Sequence, residues 1–166
     1  METTQTDITG EDRARLIDWV VGVHTTYCLG PETLHLTVNL IDRYLTKMVT
    51  MRKHLQLVGV VAMFIASKFE EVSPPELHDW VYITDNAYTK DDVLVMECTM
   101  LSALSFQIVV PTAAHFFDVF EKANDCNAVH LEAARYLLEL GLLDLRSLQY
   151  NPSQMVAWPS IGNQYN

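Results

Sequence analysis

The side chains best placed for chemistry in this sequence are the charges that end an apolar run. Residues 55–71 read LQLVGVVAMFIASKFEE, and Lys68, Glu70 and Glu71 follow ten residues that carry no charge. A helix that is apolar on every face must be surrounded by other elements, so Lys68 either extends to water or is held for a partner. Glu70 and Glu71 are adjacent and point to two sides of a helix, which is a poor arrangement for a paired acid and base.

Recognisable motifs for catalysis or metal binding are lacking in the sequence. The six histidines show neither HExxH nor HxxxH spacing, which a helical metal site would use. There is no glycine-rich phosphate loop and no G-x-S-x-G motif. We therefore predict no catalytic residue, no metal and no cofactor.

Composition limits the remaining classes of function. The 166 residues are 49% hydrophobic, which fits one domain or two small ones with a real core. The net charge of -10 argues against nucleic acid, which would require a basic surface. Three cysteines without CxxC spacing predict buried thiols in a reduced compartment. No segment resembles a signal peptide or a membrane span, so we expect a soluble intracellular protein.

Apolar periodicity and helix-start signals predict an all-α chain. Thr9 followed by Asp12, and Thr89 followed by Asp92, are typical helix caps, and Ser73 followed by two prolines predicts the start of helix 4. The expected helices cover about residues 11–27, 31–48, 55–71 and 74–83, followed by a fifth after residue 89.

The second part of the chain looks incomplete. Residues 106–110 predict an extended linker because proline and threonine follow at once. Two helices are expected over about residues 115–123 and 129–145, and Pro152 could begin another. That segment becomes polar and punctuated from residue 158.

Several collinear segments resemble the cyclin family, specifically the A/B-type mitotic cyclins. They include LIDW at residues 16–19, NLIDR at 39–43, LQLVG at 55–59, ASKFEE at 66–71 and YITD at 82–85, without an obvious gap between about residues 5 and 154. The resemblance implies an N-terminal extension at 1–11, a five-helix cyclin box at 12–110 and a truncated second box at 111–166.

The resemblance also implies a function and a set of site residues. A cyclin binds and activates a cyclin-dependent protein kinase in the nucleus and cytoplasm and is not itself an enzyme. Lys68 and Glu97 match residues that reach the kinase's regulatory helix, and Arg13 and Asp42 match the shell that supports that lysine. Further positions that match the kinase face, or could touch the kinase, are Phe69, Glu70, Glu71, Leu101 and Phe106.

A docking patch for Arg-x-Leu peptides of substrates and inhibitors departs from the family pattern. Leu16, Trp19 and Gln56 are kept. The usual methionine is Asp12, the usual isoleucine is Arg15, and glycine replaces the usual acidic residue at position 22. We expect docking through this patch to be weakened.

Alternative interpretations remain open from the sequence. Lys68 and Glu97 could form a solvated ion pair within the chain, worth roughly 0 to 1 kcal/mol. The chain could also be a cyclin-fold interaction module that activates no kinase, such as a scaffold or a kinase-sequestering short form, or a small helical enzyme whose site the sequence does not reveal.

Overall fold

A computed structural model describes residues 5–123 and 128–161. No described residue lies in a strand, and the all-α prediction is confirmed. No helix within the described ranges is long and apolar enough to cross a membrane. The described α-helices are α1 Gly10–Thr26, α2 Pro31–Lys47, α3 Leu55–Glu70, α4 Leu77–Tyr82, α5 Lys90–Ala103, α6 Ala113–Ala123, α7 Ala128–Leu143 and α8 Pro152–Ile161. Short 3₁₀ helices lie at Arg52–His54 and Leu145–Gln149.

The chain divides into two compact units, Met1–Val110 and Pro111–Asn166. In the first unit, α3 is the central element and packs against α1, α2, α4 and α5. Every residue of α3 from Leu57 to Ser67 is buried. The apolar run that ends in Lys68 is therefore enclosed, as its sequence predicts.

Capping boxes begin α1 and α5 as the sequence predicts. The Thr9 hydroxyl accepts a hydrogen bond from the backbone N–H of Asp12, and the Asp12 carboxylate accepts one from the backbone N–H of Thr9. Thr89 and Asp92 form the same two hydrogen bonds at the start of α5. The predicted start of helix 4 at Pro74 is wrong. Helix α4 begins at Leu77, because Glu76 takes the cap position and exchanges hydrogen bonds with Asp79.

The prediction of buried thiols is wrong for two cysteines, and Cys126 lies outside the described residues. Cys28 and Cys98 are free and exposed. The backbone of Cys28 is left-handed, with φ of 51°, at the end of α1. The N–H of Cys28 donates to the carbonyl of Thr25, and the N–H of Leu29 donates to the carbonyl of His24. These two hydrogen bonds are the Schellman pattern of a helix end. That position projects beyond the last turn of a helix, so the thiol is exposed.

The second unit has a smaller core. Ala113, Phe117, Leu138 and Val156 are buried together, and α8 packs against both α6 and α7. The partly buried residues around them are Phe120, Leu131, Ala134 and Met155. Helix α7 also carries exposed apolar side chains at Val129, Tyr136, Leu137 and Leu140.

The crossing of α1 and α3 depends on Gly59. A Cβ atom at Gly59 would lie 2.8 Å from Cδ1 of Leu16, whereas one at Gly22 would meet nothing within 4 Å. We expect Gly59→Ala to lower the free energy of unfolding by about 1–3 kcal/mol through overpacking. Gly22→Ala, in an exposed part of α1, should instead raise it by about 0.5–1 kcal/mol. Urea unfolding of both variants checks this, and equal stability of the two would contradict the tight crossing.

Candidate partner-binding site at the ends of α3 and α5

The centre of the candidate site is an ion pair between Lys68 and Glu97. Lys68 lies in the last turn of α3, and its ammonium group donates to Oε1 of Glu97, in the middle of α5. The same ammonium lies 3.9 Å from the centroid of the Phe64 ring. The side chains are 41% and 13% exposed, so the pair sits at the surface with Glu97 mostly covered. The ion pair within the chain, which the sequence left open as an alternative, is therefore present.

Exposed apolar side chains follow Lys68 at the end of α3 and follow the end of α5. The Phe69 side chain follows Lys68 directly and is 47% exposed, and Phe106 is 67% exposed. Leu101, half-buried, lies one turn beyond Glu97 on α5. Apolar groups that flank a charge in this way are what a partner surface covers.

The end of α5 fixes the backbone of Phe106. The N–H of Phe106 donates to the carbonyl of Leu101 at 2.8 Å, and the N–H of Ser105 donates to that of Ser102 at 3.0 Å, again in the Schellman pattern. Ser105 and Phe106 both have positive φ, 54° and 56°, which non-glycine residues rarely adopt. This motif links two residues that the resemblance assigns to the same face, Leu101 and Phe106.

Leu94 belongs to this surface and was missed by the sequence reasoning. It is 40% exposed and precedes Glu97 by three residues and Leu101 by seven, so the three share one face of α5. The signal that could have identified it is this spacing. It was overlooked because the inward face of α5 is defined by its buried residues, Val93 and Met100.

Glu71 has a role within the chain that the sequence did not indicate. Its Oε1 accepts from the backbone N–H of Gly30 at 2.7 Å and from the hydroxyl of Thr33. Gly30 is the cap residue of α2 and has no side chain of its own to offer, so a carboxylate from the end of α3 serves the N-terminus of α2 instead. Glu71 thereby anchors the segment that carries Lys68 and Phe69. Its contact with a kinase, and that of half-buried Glu70, stay predictions.

Arg13 and Asp42 form a buried ion pair between α1 and α2. Nε of Arg13 lies 2.6 Å from Oδ1 of Asp42, and Nη2 lies 2.8 Å from Oδ2. The two side chains are only 1% and 10% exposed. Among the described residues, neither of them hydrogen-bonds to Lys68. Their support of that lysine stays a prediction, acting through the packing of α1 and α2 with α3.

The residues of the predicted docking patch lie on α1 and at the start of α3. Leu16 is buried against Gly59, and Trp19 and Gln56 are half-buried. Asp12 is buried, and its Oδ1 lies 2.6 Å from Nη2 of Arg52.

Charge is built into this patch. Hydrogen bonds from the backbone and hydroxyl of Thr9, with Arg52 close by, hold the pKa of Asp12 below its usual value, so this group stays ionised at neutral pH. Arg15 forms a solvent-exposed ion pair with Glu11 at 2.6 Å. An apolar peptide on α1 would therefore meet fixed charges.

The arrangement at the end of α3 and along α5 is chemically suited to binding a partner. A surface ion pair surrounded by apolar side chains offers a partner both buried area and charged hydrogen bonds. Lys68 keeps donors beyond the one that Glu97 accepts, and Glu97 keeps further acceptor positions. Both side chains can therefore form hydrogen bonds to a partner while the hydrogen bond between Lys68 and Glu97 remains.

Comparison with family models gives two matches that together cover most of the chain. The model described as cyclin, N-terminal domain, matches residues 1–109. The model described as cyclin, C-terminal domain, matches residues 111–158.

Similar sequences include B-type and A-type cyclins. The chain is 46% identical to G2/mitotic-specific cyclin-B of Arbacia punctulata over 157 residues, 95% of this chain and 38% of that protein. It is 49% identical to cyclin-B2-1 of Arabidopsis thaliana over 153 residues, 92% of this chain and 36% of that one. With cyclin-A1-4 of Oryza sativa subsp. japonica the identity is 46% over 162 residues, 95% and 46% of the two chains. The chain thus spans less than half the length of these relatives.

Solved structures share the fold. A viral cyclin from herpesvirus saimiri matches with a TM-score of 0.86 at 23% identity, over 97% of this chain and 72% of that chain. A chain of the yeast TFIIK (Kin28/Ccl1/Tfb3) complex matches with a TM-score of 0.69 at 14% identity, over 93% and 73% of the two chains.

Proposed function

Since the chain belongs to the cyclin family, we propose that it is a regulatory subunit that binds and activates a cyclin-dependent protein kinase in the cell cycle, with no catalysis of its own. The observation that carries the proposal is the pair of Lys68 and Glu97 at the surface with exposed Phe69 and Phe106. A heterodimer with the kinase would cover this surface.

Activation would follow from holding one kinase helix in place. Active protein kinases need an ion pair between a lysine that positions ATP and a glutamate on the regulatory helix. The kinase exchanges between a conformation in which this ion pair is formed and one in which it is broken. A cyclin that binds the regulatory helix in the first conformation stabilises that conformation relative to the second. Lys68 and Glu97 would bind polar groups at the end of the helix, and Phe69, Leu101 and Phe106 would cover its apolar side. Leu94 extends the same face on α5.

The domain division forms part of the proposal. The kinase-binding residues all fall in the first cyclin box, residues 12–110, after an extension at 1–11. Residues 111–166 would form part of a second cyclin box and contribute helices α6 to α8. We propose that the protein works in the nucleus and the cytoplasm, where mitotic kinases meet their substrates.

Substrate docking along α1 is proposed to be weak. An Arg-x-Leu peptide seated on Trp19 and Leu16 would lie against the charges of Asp12 and Arg15. Desolvating charged groups without new partners costs several kcal/mol. Position 22, open and without a side chain, offers the peptide's arginine no carboxylate.

The test is to mix the chain with a purified mitotic cyclin-dependent kinase. We expect one complex on size-exclusion chromatography and phosphorylation of a histone substrate well above that of the kinase alone. Phe69→Asp should abolish both, because it places a charge in the apolar contact. Lys122→Glu, which changes an exposed residue of the second unit, should change neither.

Two outcomes would contradict the proposal. Absence of a complex would mean that the fold serves another partner. A complex without a rise in histone phosphorylation would favour a kinase-sequestering form instead.

A further inference from the structure

The loop between α2 and α3 exposes apolar side chains next to cations. The exposed fractions are 37% for Met48, 68% for Val49 and 53% for Met51. Lys47 precedes them, and Arg52 and Lys53 follow, all exposed. We call residues 47–53 the basic-apolar loop. Methionine is a flexible, polarizable side chain that is common at protein-binding surfaces.

Charge on this part of the chain is opposite in sign to the whole. The protein carries 21 acidic and 11 basic residues, yet residues 43–69 contain no aspartate or glutamate and five of the lysines and arginines. Arg52 is paired with Asp12, but its side chain is 59% exposed and that of Asp12 only 7%. Among the described residues, the Lys53 side chain has no hydrogen-bond or ion-pair partner. Lys47, Arg52 and Lys53 outnumber the two carboxylates that contact the loop, Asp7 and Asp12, so the net charge at the loop is positive.

The backbone of the loop is fixed from within. Gln5 is buried, and its amide donates to the carbonyls of Leu45 and Met48 and accepts from the N–H of Thr50 at 3.1 Å. Asp7 accepts from the N–H of Arg52 at 2.8 Å. Residues before α1 thus hold the loop in one shape. A surface ordered in advance loses less conformational entropy on binding.

We propose that the basic-apolar loop is a docking surface for an acidic protein segment that carries apolar residues. Its carboxylates would pair with Lys47, Lys53 and the outward side of Arg52, and its apolar residues would cover Val49 and Met51. The surface does not involve Lys68 or Glu97, so its test is independent of kinase activation.

The overall charge favours a peptide over a membrane. A membrane that attracts the loop must be anionic, and the rest of a chain with net charge -10 would be repelled from it. A narrow peptide meets only the loop and avoids that repulsion. Three apolar side chains also form a small area compared with the buried face of a membrane-bound helix.

The experiment is fluorescence polarisation of the full chain with a labelled peptide of repeating Glu-Asp-Leu-Glu-Asp-Phe pattern. We expect saturable binding that weakens with salt, since the Debye length falls from about 10 Å at 0.1 M to about 3 Å at 1 M. Replacing Lys47 and Lys53 with glutamate should raise Kd about tenfold or more. Val49→Ser with Met51→Ser should also raise it about tenfold through lost apolar burial.

The matched control replaces Lys122 and Arg146, exposed cations of the second unit, with glutamate. It alters net charge by the same amount and should leave Kd unchanged. Equal weakening by both charge reversals would overturn the proposal, as would equal binding of a peptide with serine for leucine and phenylalanine. Phosphatidylserine vesicles that bind with the same loop dependence and displace the peptide would overturn it in favour of a membrane. Circular dichroism confirms that each variant is folded.

Discussion

The variant Asp42→Ala is expected to lose about 3–5 kcal/mol of free energy of unfolding, which is the usual cost of removing one partner from a buried ion pair. Arg13 is fully buried, and Asp42 accepts two charged hydrogen bonds from its guanidinium. Alanine leaves that cation without its carboxylate between α1 and α2. Urea unfolding followed by circular dichroism measures the loss.

A second ion pair of this chain provides the control. Arg15 and Glu11 lie at the same separation of 2.6 Å, but their side chains are 66% and 73% exposed. Glu11→Ala should therefore cost no more than about 1 kcal/mol. Equal losses for Asp42→Ala and Glu11→Ala would mean that burial does not set the contribution of the pair.

The variant Glu97→Ala is expected to weaken binding to a cyclin-dependent kinase by about 2–5 kcal/mol, because kinase groups buried in the interface would lose a charged partner. Lys68→Ala should weaken it by a similar amount. The free chain should stay folded, since a pair at the surface contributes about 0–1 kcal/mol to stability. Isothermal titration calorimetry with the purified kinase measures both losses.

The contact between the two residues makes a further test possible. Since Lys68 and Glu97 touch, the double variant should lose less than the sum of the single losses. Lys90→Ala, an exposed cation at the start of the same helix, is the control and should bind as the original chain does. Unchanged affinity in Lys68→Ala and Glu97→Ala would show that the kinase binds elsewhere.

Local signals in the sequence predicted most helices well. The boxes of Thr9 with Asp12 and of Thr89 with Asp92 join residues three apart, so their pattern can be read directly from the chain. The start of α4 was missed because two local signals compete there. Ser73 and Pro74 resemble a helix start, but Glu76 with Asp79 forms a box three residues later.

Contacts between distant residues could not be predicted in this way. Nothing near Glu71 in the sequence shows that its carboxylate reaches Gly30, which is 41 residues away. The resemblance suggested a site at Lys68 and Glu97, but their contact depends on how α3 crosses α5. The burial of Cys98 was wrongly predicted for the same reason. Apolar neighbours along the chain do not show which face of α5 packs inward, and Cys98 is exposed.

The hydrogen bonds of Gln5 also constrain the order in which the first unit folds. They join residues separated by 40, 43 and 45 positions along the chain. Two of the acceptors are carbonyls at the end of α2, which take up their positions only when that helix has formed. Contacts of such long range close late, after the local helices, so the loop at residues 47–53 acquires its fixed shape only near the end of folding.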